Sequence, residues 1–144
     1  MTPEELARAC ADAMTAADLA SREAGILLEA IGPGRATTAM RVLPAMANGH
    51  GICHGGWVFL LADAAFSYAC NTHGDVTVAG GCDIVFATPA HAGDELVADA
   101  VERARFGRNG IYDVTVRRAD GELIAEMRGR SRTTGEKILA ETCE

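Results

Sequence analysis

The sequence predicts an α+β fold in which an antiparallel sheet wraps around one long central helix, preceded by a helical N-terminal extension. Three observations carry that expectation. Residues 57–70 read WVFLLADAAFSYAC, apolar on every side of a helical wheel apart from Asp63 and Ser67, so this helix should be buried almost all round. After it the texture changes to four strand-like runs, residues 76–87, 95–106, 111–118 and 122–133, separated by glycine, proline or Asp120-Gly121 turns. They read as consecutive antiparallel strands, and one further strand is expected ahead of the helix.

The elements follow in order. Thr2-Pro3-Glu4-Glu5 is a capping box with proline at the first helical position, and Leu6, Cys10, Ala13 and Met14 recur at helical spacing. Thr15 followed by Asp18 signals a second short helical stretch, closed by Gly25, so residues 1–25 form a helical segment. Gly32-Pro33-Gly34 is a turn, and residues 37–43 alternate with β-branched content, which predicts a strand. There is no internal repeat and no low-complexity linker, and 144 residues, 49% of them hydrophobic, suit one domain spanning residues 1–144.

Charge and composition narrow the function. Acidic residues outnumber basic ones by 20 to 13, a field that repels a phosphate backbone, so no nucleic-acid partner is expected. The longest apolar stretch is interrupted by Asp63 and falls short of the roughly 20 residues of a membrane span; the start carries no secretory pattern. Cys10, Cys53, Cys70, Cys82 and Cys143 are odd in number and irregularly spaced, which fits reduced thiols in the cytoplasm better than a disulfide framework. His50, Cys53 and His54 lie close together, but no second Cys/His pair follows at zinc spacing, so no metal is expected.

Asp63 is the most informative residue. An unpaired carboxylate in an apolar helix costs several kcal/mol of desolvation unless something compensates, and a carboxylate held between burial and nearby donors is a candidate base or nucleophile. The bland alternative is a cap on a neighbouring loop or an ion pair with an arginine. Just upstream, Asn48-Gly49-His50-Gly51-Ile52-Cys53-His54-Gly55-Gly56 feeds directly into the helix. The first amides of a helix have no internal partner and favour a developing oxyanion; Gly55 is the expected donor and Gly56, beside it, an expected substrate contact. His54 has an orienting role in holding this loop, and Asn48 either positions a water or fixes the same loop. Ser67, one turn past Asp63 on the same face, contacts water or the acyl group, or else bonds back to its own helix.

Gly55 and Asp63 are eight positions apart, about 12 Å along a helix axis, so one copy of each cannot touch the same carbonyl. Two such helices antiparallel across a two-fold axis would bring the N-terminus of one to the middle of the other. A carboxylate with oxyanion donors suits thioester hydrolysis, because a thiolate leaves readily without a strong general acid. Asp63 then either deprotonates a water or attacks the carbonyl itself.

The run NGHGICHGGWVFLLADAAFSYACN resembles the signature of the hotdog-fold thioesterases, and within them the phenylacetic acid degradation thioesterase (PaaI) family. The similarity continues through Asp83-Ile84-Val85-Phe86, Pro89, Gly93-Asp94 and Gly110-Ile111-Tyr112-Asp113-Val114. The resemblance implies a long helix wrapped by an antiparallel sheet, homodimers with a continuous sheet, commonly paired into homotetramers, and hydrolysis of an aryl- or acyl-CoA, phenylacetyl-CoA or hydroxyphenylacetyl-CoA foremost. Coenzyme A is then part of the substrate and no separate cofactor is implied. By motif position Asp63 matches the catalytic acid, Gly55 the carbonyl-polarising amide, and Asn48 and His54 the supporting loop residues. One departure is that relatives often place a hydroxyl on the strand after the helix, where this chain reads Val78-Ala79-Gly80-Gly81. Arg105 and Arg108, or the alternating Arg128, Arg130 and Arg132, are the cations available to coenzyme A, unless they form a solvated sheet face. Competing expectations are a non-catalytic acyl-CoA binding module and an enoyl-CoA hydratase of the same fold.

Overall fold

The computed structural model describes residues 1–140. Helix α1 (Pro3–Ala17) opens on the capping box: Thr2 Oγ1 accepts from the Glu5 amide at 3.1 Å and Glu5 Oε2 accepts from the Thr2 amide at 2.9 Å. Helix α2 (Leu19–Glu23) starts at Asp18, whose carboxylate accepts from the Ser21 amide and hydroxyl. Thr15, one of the two residues that signal this helix, plays another part, since its hydroxyl meets the Tyr68 hydroxyl at 2.9 Å and ties α1 to the central helix. Gly25 stops the segment at φ +73°, as a left-handed position requires.

A hairpin follows, β1 (Leu27–Gly32) and β2 (Arg35–Arg41), and then a single 3-10 turn at Pro44–Met46. Strand β1 was not expected. Next come the central helix α3 (Gly55–Cys70) and four strands, β3 (Asp75–Phe86), β4 (Glu95–Phe106), β5 (Asn109–Arg118) and β6 (Leu123–Lys137). All pairings are antiparallel in the order β1-β2-β4-β5-β6-β3. Strands β4, β5 and β6 form the expected meander. Strand β3 does not pair with its successor β4; because α3 carries the chain beneath the sheet, β3 emerges at the far edge and pairs with β6, Ile84 opposite Met127.

The concave face of the sheet packs on α3. On β5, Tyr112, Val114 and Val116 are buried between half-exposed Asp113 and Thr115, the alternation that a one-sided sheet imposes. Leu61, Ala62, Ala65 and Ala69 of α3 are wholly inaccessible, and Phe66 stacks obliquely on Tyr112 with ring centroids 5.6 Å apart. Gly129 makes room for that ring, since a Cβ there would stand 2.8 Å from Phe66 Cζ. Each large side chain so buried stabilises the fold by roughly 1.5–3 kcal/mol.

Helix α3 is nevertheless not covered all round by its own chain. Gly56, Phe59, Leu60, Asp63 and Ser67, spaced to fall on one face, remain exposed or half-exposed. The edge strand β3 is also open, with Val78, Val85 and Phe86 each more than half exposed. Among the described residues no helix is long and apolar enough to cross a membrane. Cys10, Cys53, Cys70 and Cys82 are free thiols; Cys143 lies outside the described residues.

Candidate active site

The loop before α3 is held by its own backbone and by one side chain. Ala47 bridges Cys53, the Cys53 amide donates to the Ala90 carbonyl at 2.7 Å, and the His54 amide donates to the Met46 carbonyl at 2.8 Å. Asn48 Oδ1 accepts from the His50 amide at 2.9 Å and from the Ile52 amide at 3.3 Å. The Asn48 side chain thus fixes the loop through its oxygen, and its NH2 group makes no hydrogen bond among the described residues. Gly51 takes φ +78°, which a side chain would strain.

His54 caps α3, its Nδ1 accepting from the Gly56 amide at 3.1 Å. This divides the labour between the two glycines. The Gly56 amide is spent on the cap, whereas the Gly55 amide makes no hydrogen bond among the described residues and carries the positive end of the helix dipole. Gly55 lines an apolar pocket of about 360 Å³ together with Asn48, Val58, Phe86, Pro89 and Ile124. A Cβ on Gly55 would stand 3.0 Å from the Phe86 ring, so glycine is what lets the strand-end aromatic close against the helix start.

Asp63 lies two turns further on, about 12 Å along the axis, outside that pocket. It is half-exposed on the uncovered face of α3 and has no hydrogen bond or ion pair among the described residues. Burial pushes its carboxyl above the usual carboxylate range, and the charge of Asp18 pushes the same way. Ser67 shares the face; its hydroxyl makes no bond back to the helix, while its carbonyl accepts from Asn71 Nδ2 at 2.8 Å. The structure therefore gathers Asn48, His54, Gly55 and Gly56 at the helix start and Asp63 with Ser67 at its middle, and one chain does not unite the two groups.

Other candidates sort by their partners. Arg128 forms a bidentate pair with Asp113, which Arg103 also contacts, and Arg130 pairs with Asp83, so both belong to ion pairs on the outer sheet face. Arg132 reaches Asn109 Oδ1 at 3.5 Å. Arg105 lies 3.3 Å from Glu102, and Arg108 has no partner among the described residues. Among the described residues no group of three or more His, Cys, Asp or Glu is placed to hold a metal ion. The thiol of Cys70, pushed up to about 12 chiefly by burial, is inert at neutral pH. Asp18, read from the sequence as a helix start, and Phe86, quoted there only within the family resemblance, were not picked out as site residues: an aromatic at a strand end and an acid at a helix cap look structural until the fold sets them beside Gly55 and Asp63.

Comparisons with known proteins agree with this architecture. The family model of the thioesterase superfamily matches residues 50–125, from the glycine-rich loop into β6. The acyl-coenzyme A thioesterase PaaI of Escherichia coli K12 is 40% identical over 131 residues, 91% of this chain and 94% of that protein. The solved E. coli PaaI protein from the phenylacetic acid degradation operon superposes with a TM-score of 0.92 at 38% identity, covering 94% of this chain and 99% of that one. A mutant of the phenylacetic acid degradation protein PaaI from Thermus thermophilus gives a TM-score of 0.78 at 33% identity over 81% of this chain and all of that one. The sheet wrapped on α3 is thus the hotdog fold, and the chain belongs to the thioesterase superfamily, as a hydrolase of thioester bonds.

Proposed function

We propose that the protein hydrolyses an aryl- or acyl-CoA thioester, phenylacetyl-CoA or hydroxyphenylacetyl-CoA foremost, to the free acid and coenzyme A. The observation that carries the reading is the pairing of an unengaged carboxylate, Asp63, with an unengaged helix-start amide, Gly55, on one rod at a separation that only a second copy can close. Two chains meet along the open face of α3 and the edge of β3. The Gly55 amide of one subunit then polarises the thioester carbonyl while Asp63 of the partner subunit attacks it or deprotonates the attacking water. Phe59 and Leu60, half-exposed beside Asp63, supply apolar area for that contact, and Val78, Val85 and Phe86 extend it along β3. Asn48 and His54 keep the Gly55 amide aimed, Gly56 and Ser67 flank the acyl group, and the dimers pair into a tetramer. Four free thiols suit a reducing cytoplasm.

The supporting similarity is the 40% identity to an acyl-coenzyme A thioesterase over nearly the whole chain. The test is thiol release from phenylacetyl, hydroxyphenylacetyl, benzoyl and medium-chain CoA thioesters by the native enzyme and Asp63→Asn, with light scattering for the assembly state. The expected result is a loss of about two orders of magnitude or more in turnover for the variant. Equal rates in both proteins, or full activity in a monomer, refute the mechanism. Ligand binding without turnover would identify a binding module, and hydration of an enoyl-CoA a hydratase.

A further inference from the structure

Helix α3 is packed by α2 as well as by the sheet, and two parts of the chain come within reach of the Asp63 charge: Cys82 on the edge strand β3, and Asp18 at the joint between α1 and α2. The subunit contact proposed above takes up β3. The joint is left, and a pocket of about 360 Å³ opens there against α3. Ile26, Leu27, Leu28 and the Tyr68 ring give it an apolar wall, and Thr15 and Asp18 add polar atoms. An apolar cavity of this size with a few fixed polar groups suits a small organic group.

Asp18 is held in place. Its Oδ1 accepts from the Ser21 amide at 3.0 Å and its Oδ2 from the Ser21 hydroxyl at 2.6 Å. It is half-buried and forms no ion pair among the described residues; Arg22, four positions on, sends its Nη2 to the Thr15 carbonyl at 3.5 Å instead. Asp63 is likewise half-buried without a cation. Two uncompensated carboxylates that act on each other cost stability, and an asparagine or serine would cap α2 as well. The charge of Asp18 is therefore more than the cap requires. Beside it, the Tyr68 and Thr15 hydroxyls lie 2.9 Å apart and share one hydrogen bond, which leaves one O–H of the pair able to donate elsewhere.

We propose that Asp18 is a specificity-determining residue of the thioester site: it stands at the far end of the acyl pocket, excludes acyl groups that end in a carboxylate and retains those that end in a hydroxyl. An acyl group whose carbonyl lies against Asp63 extends into this pocket because β3 and the partner subunit occupy the other side. An anionic end then meets a fixed, half-buried negative charge, and Arg8 and Arg22, exposed on the pocket wall and screened by solvent, do little to offset it. A hydroxyl end donates to the same carboxylate and accepts from the Tyr68–Thr15 pair. The inference rests on the thioesterase reading and adds which end of the acyl group is recognised.

The test compares kcat/KM, by thiol release, for phenylacetyl-CoA, hydroxyphenylacetyl-CoA and glutaryl-CoA in the native enzyme, Asp18→Asn and Ser21→Ala. Asparagine keeps the cap oxygen and removes the charge; Ser21→Ala weakens the cap and keeps the charge. In Asp18→Asn the preference for the hydroxylated over the plain ring is expected to fall about three- to tenfold, and the discrimination against glutaryl-CoA about tenfold. Ser21→Ala is expected to lower Tm and leave both ratios at their native values. Ratios that stay put in Asp18→Asn, or that move equally in Ser21→Ala, overturn the assignment. No thiol release from any thioester by the native protein removes the thioesterase reading and the assignment with it, whereas release with unmoved ratios removes the assignment alone.

Discussion

Replacing Gly55 by alanine separates the chemistry of the helix start from its stability. The added Cβ would meet three atoms of the Phe86 ring at 3.0, 3.3 and 3.4 Å, so the ring or the helix start must yield by a few tenths of an ångström. Phe86 is 52% exposed in the single chain but is confined by the subunit contact proposed along β3, so the steric cost is about 1–3 kcal/mol, partly offset by the better helix propensity of alanine. The amide, in contrast, has one place to be. Complete loss of an oxyanion donor costs about 10²–10³ in kcat, and displacement by a few tenths of an ångström, with a methyl group at the pocket wall, should cost about ten- to a hundredfold. The assay is steady-state thiol release beside a thermal melt. Unchanged kcat would remove the Gly55 amide from the mechanism, and a lower kcat accompanied by a collapse in Tm would make the effect one of folding.

Three further outcomes follow from the same geometry. With Asp63 raised by burial and by Asp18, activity should rise with pH through an apparent pKa above the ordinary carboxylate value, and Asp18→Asn, which keeps an oxygen for the Ser21 cap, should move that acid limb to lower pH; a pH–rate profile that does not move would exclude Asp18 as a tuning charge. Asp113, held at about 2 first by Arg128 and then by Arg103, contributes stability that is present above its unfolded value and lost as pH falls through the folded one. After discounting for partial exposure, Asp113→Asn should be about 1–2 kcal/mol less stable at neutral pH and converge on the native protein as pH falls from about 4 towards 2 in denaturant titrations. Gly129→Ala, with its Cβ 2.8 Å from Phe66, should lose about 1–3 kcal/mol by overpacking, and an unshifted melting curve would show the core to be looser than described.

What could be read from the sequence was what local chemistry dictates. The capping box, the all-apolar helix with one acid and the meander of β4 to β6 each follow from patterns within a dozen residues, and they appear where those patterns place them. The strand β1 left no such pattern: its register shifts between Leu28 and Ala30, so Leu28 and Ile31 both pack against the core and the alternation of LLEAIG is broken. The far-edge position of β3 is a property of the crossover through α3, which no short-range signal encodes. Of the candidate site, the glycine-rich loop and Asp63 stood out in the sequence, the first by its flexibility before a helix and the second by its cost in an apolar run. The division between a Gly56 amide spent on His54 and a Gly55 amide kept open depends on one side-chain rotamer, and composition does not record rotamers.

The helix that carries both Gly55 and Asp63 acts as a ruler. Its backbone hydrogen bonds set the interval between donor and acid, so changes in the hairpins or in the N-terminal extension leave that interval alone, whereas a single inserted residue between the two would swing Asp63 by about 100° off its face. The pocket beside Gly55 takes its other walls from elsewhere, the end of β3 and the loop before α3. A lineage built on this scaffold can therefore exchange those walls while the measuring rod stays fixed.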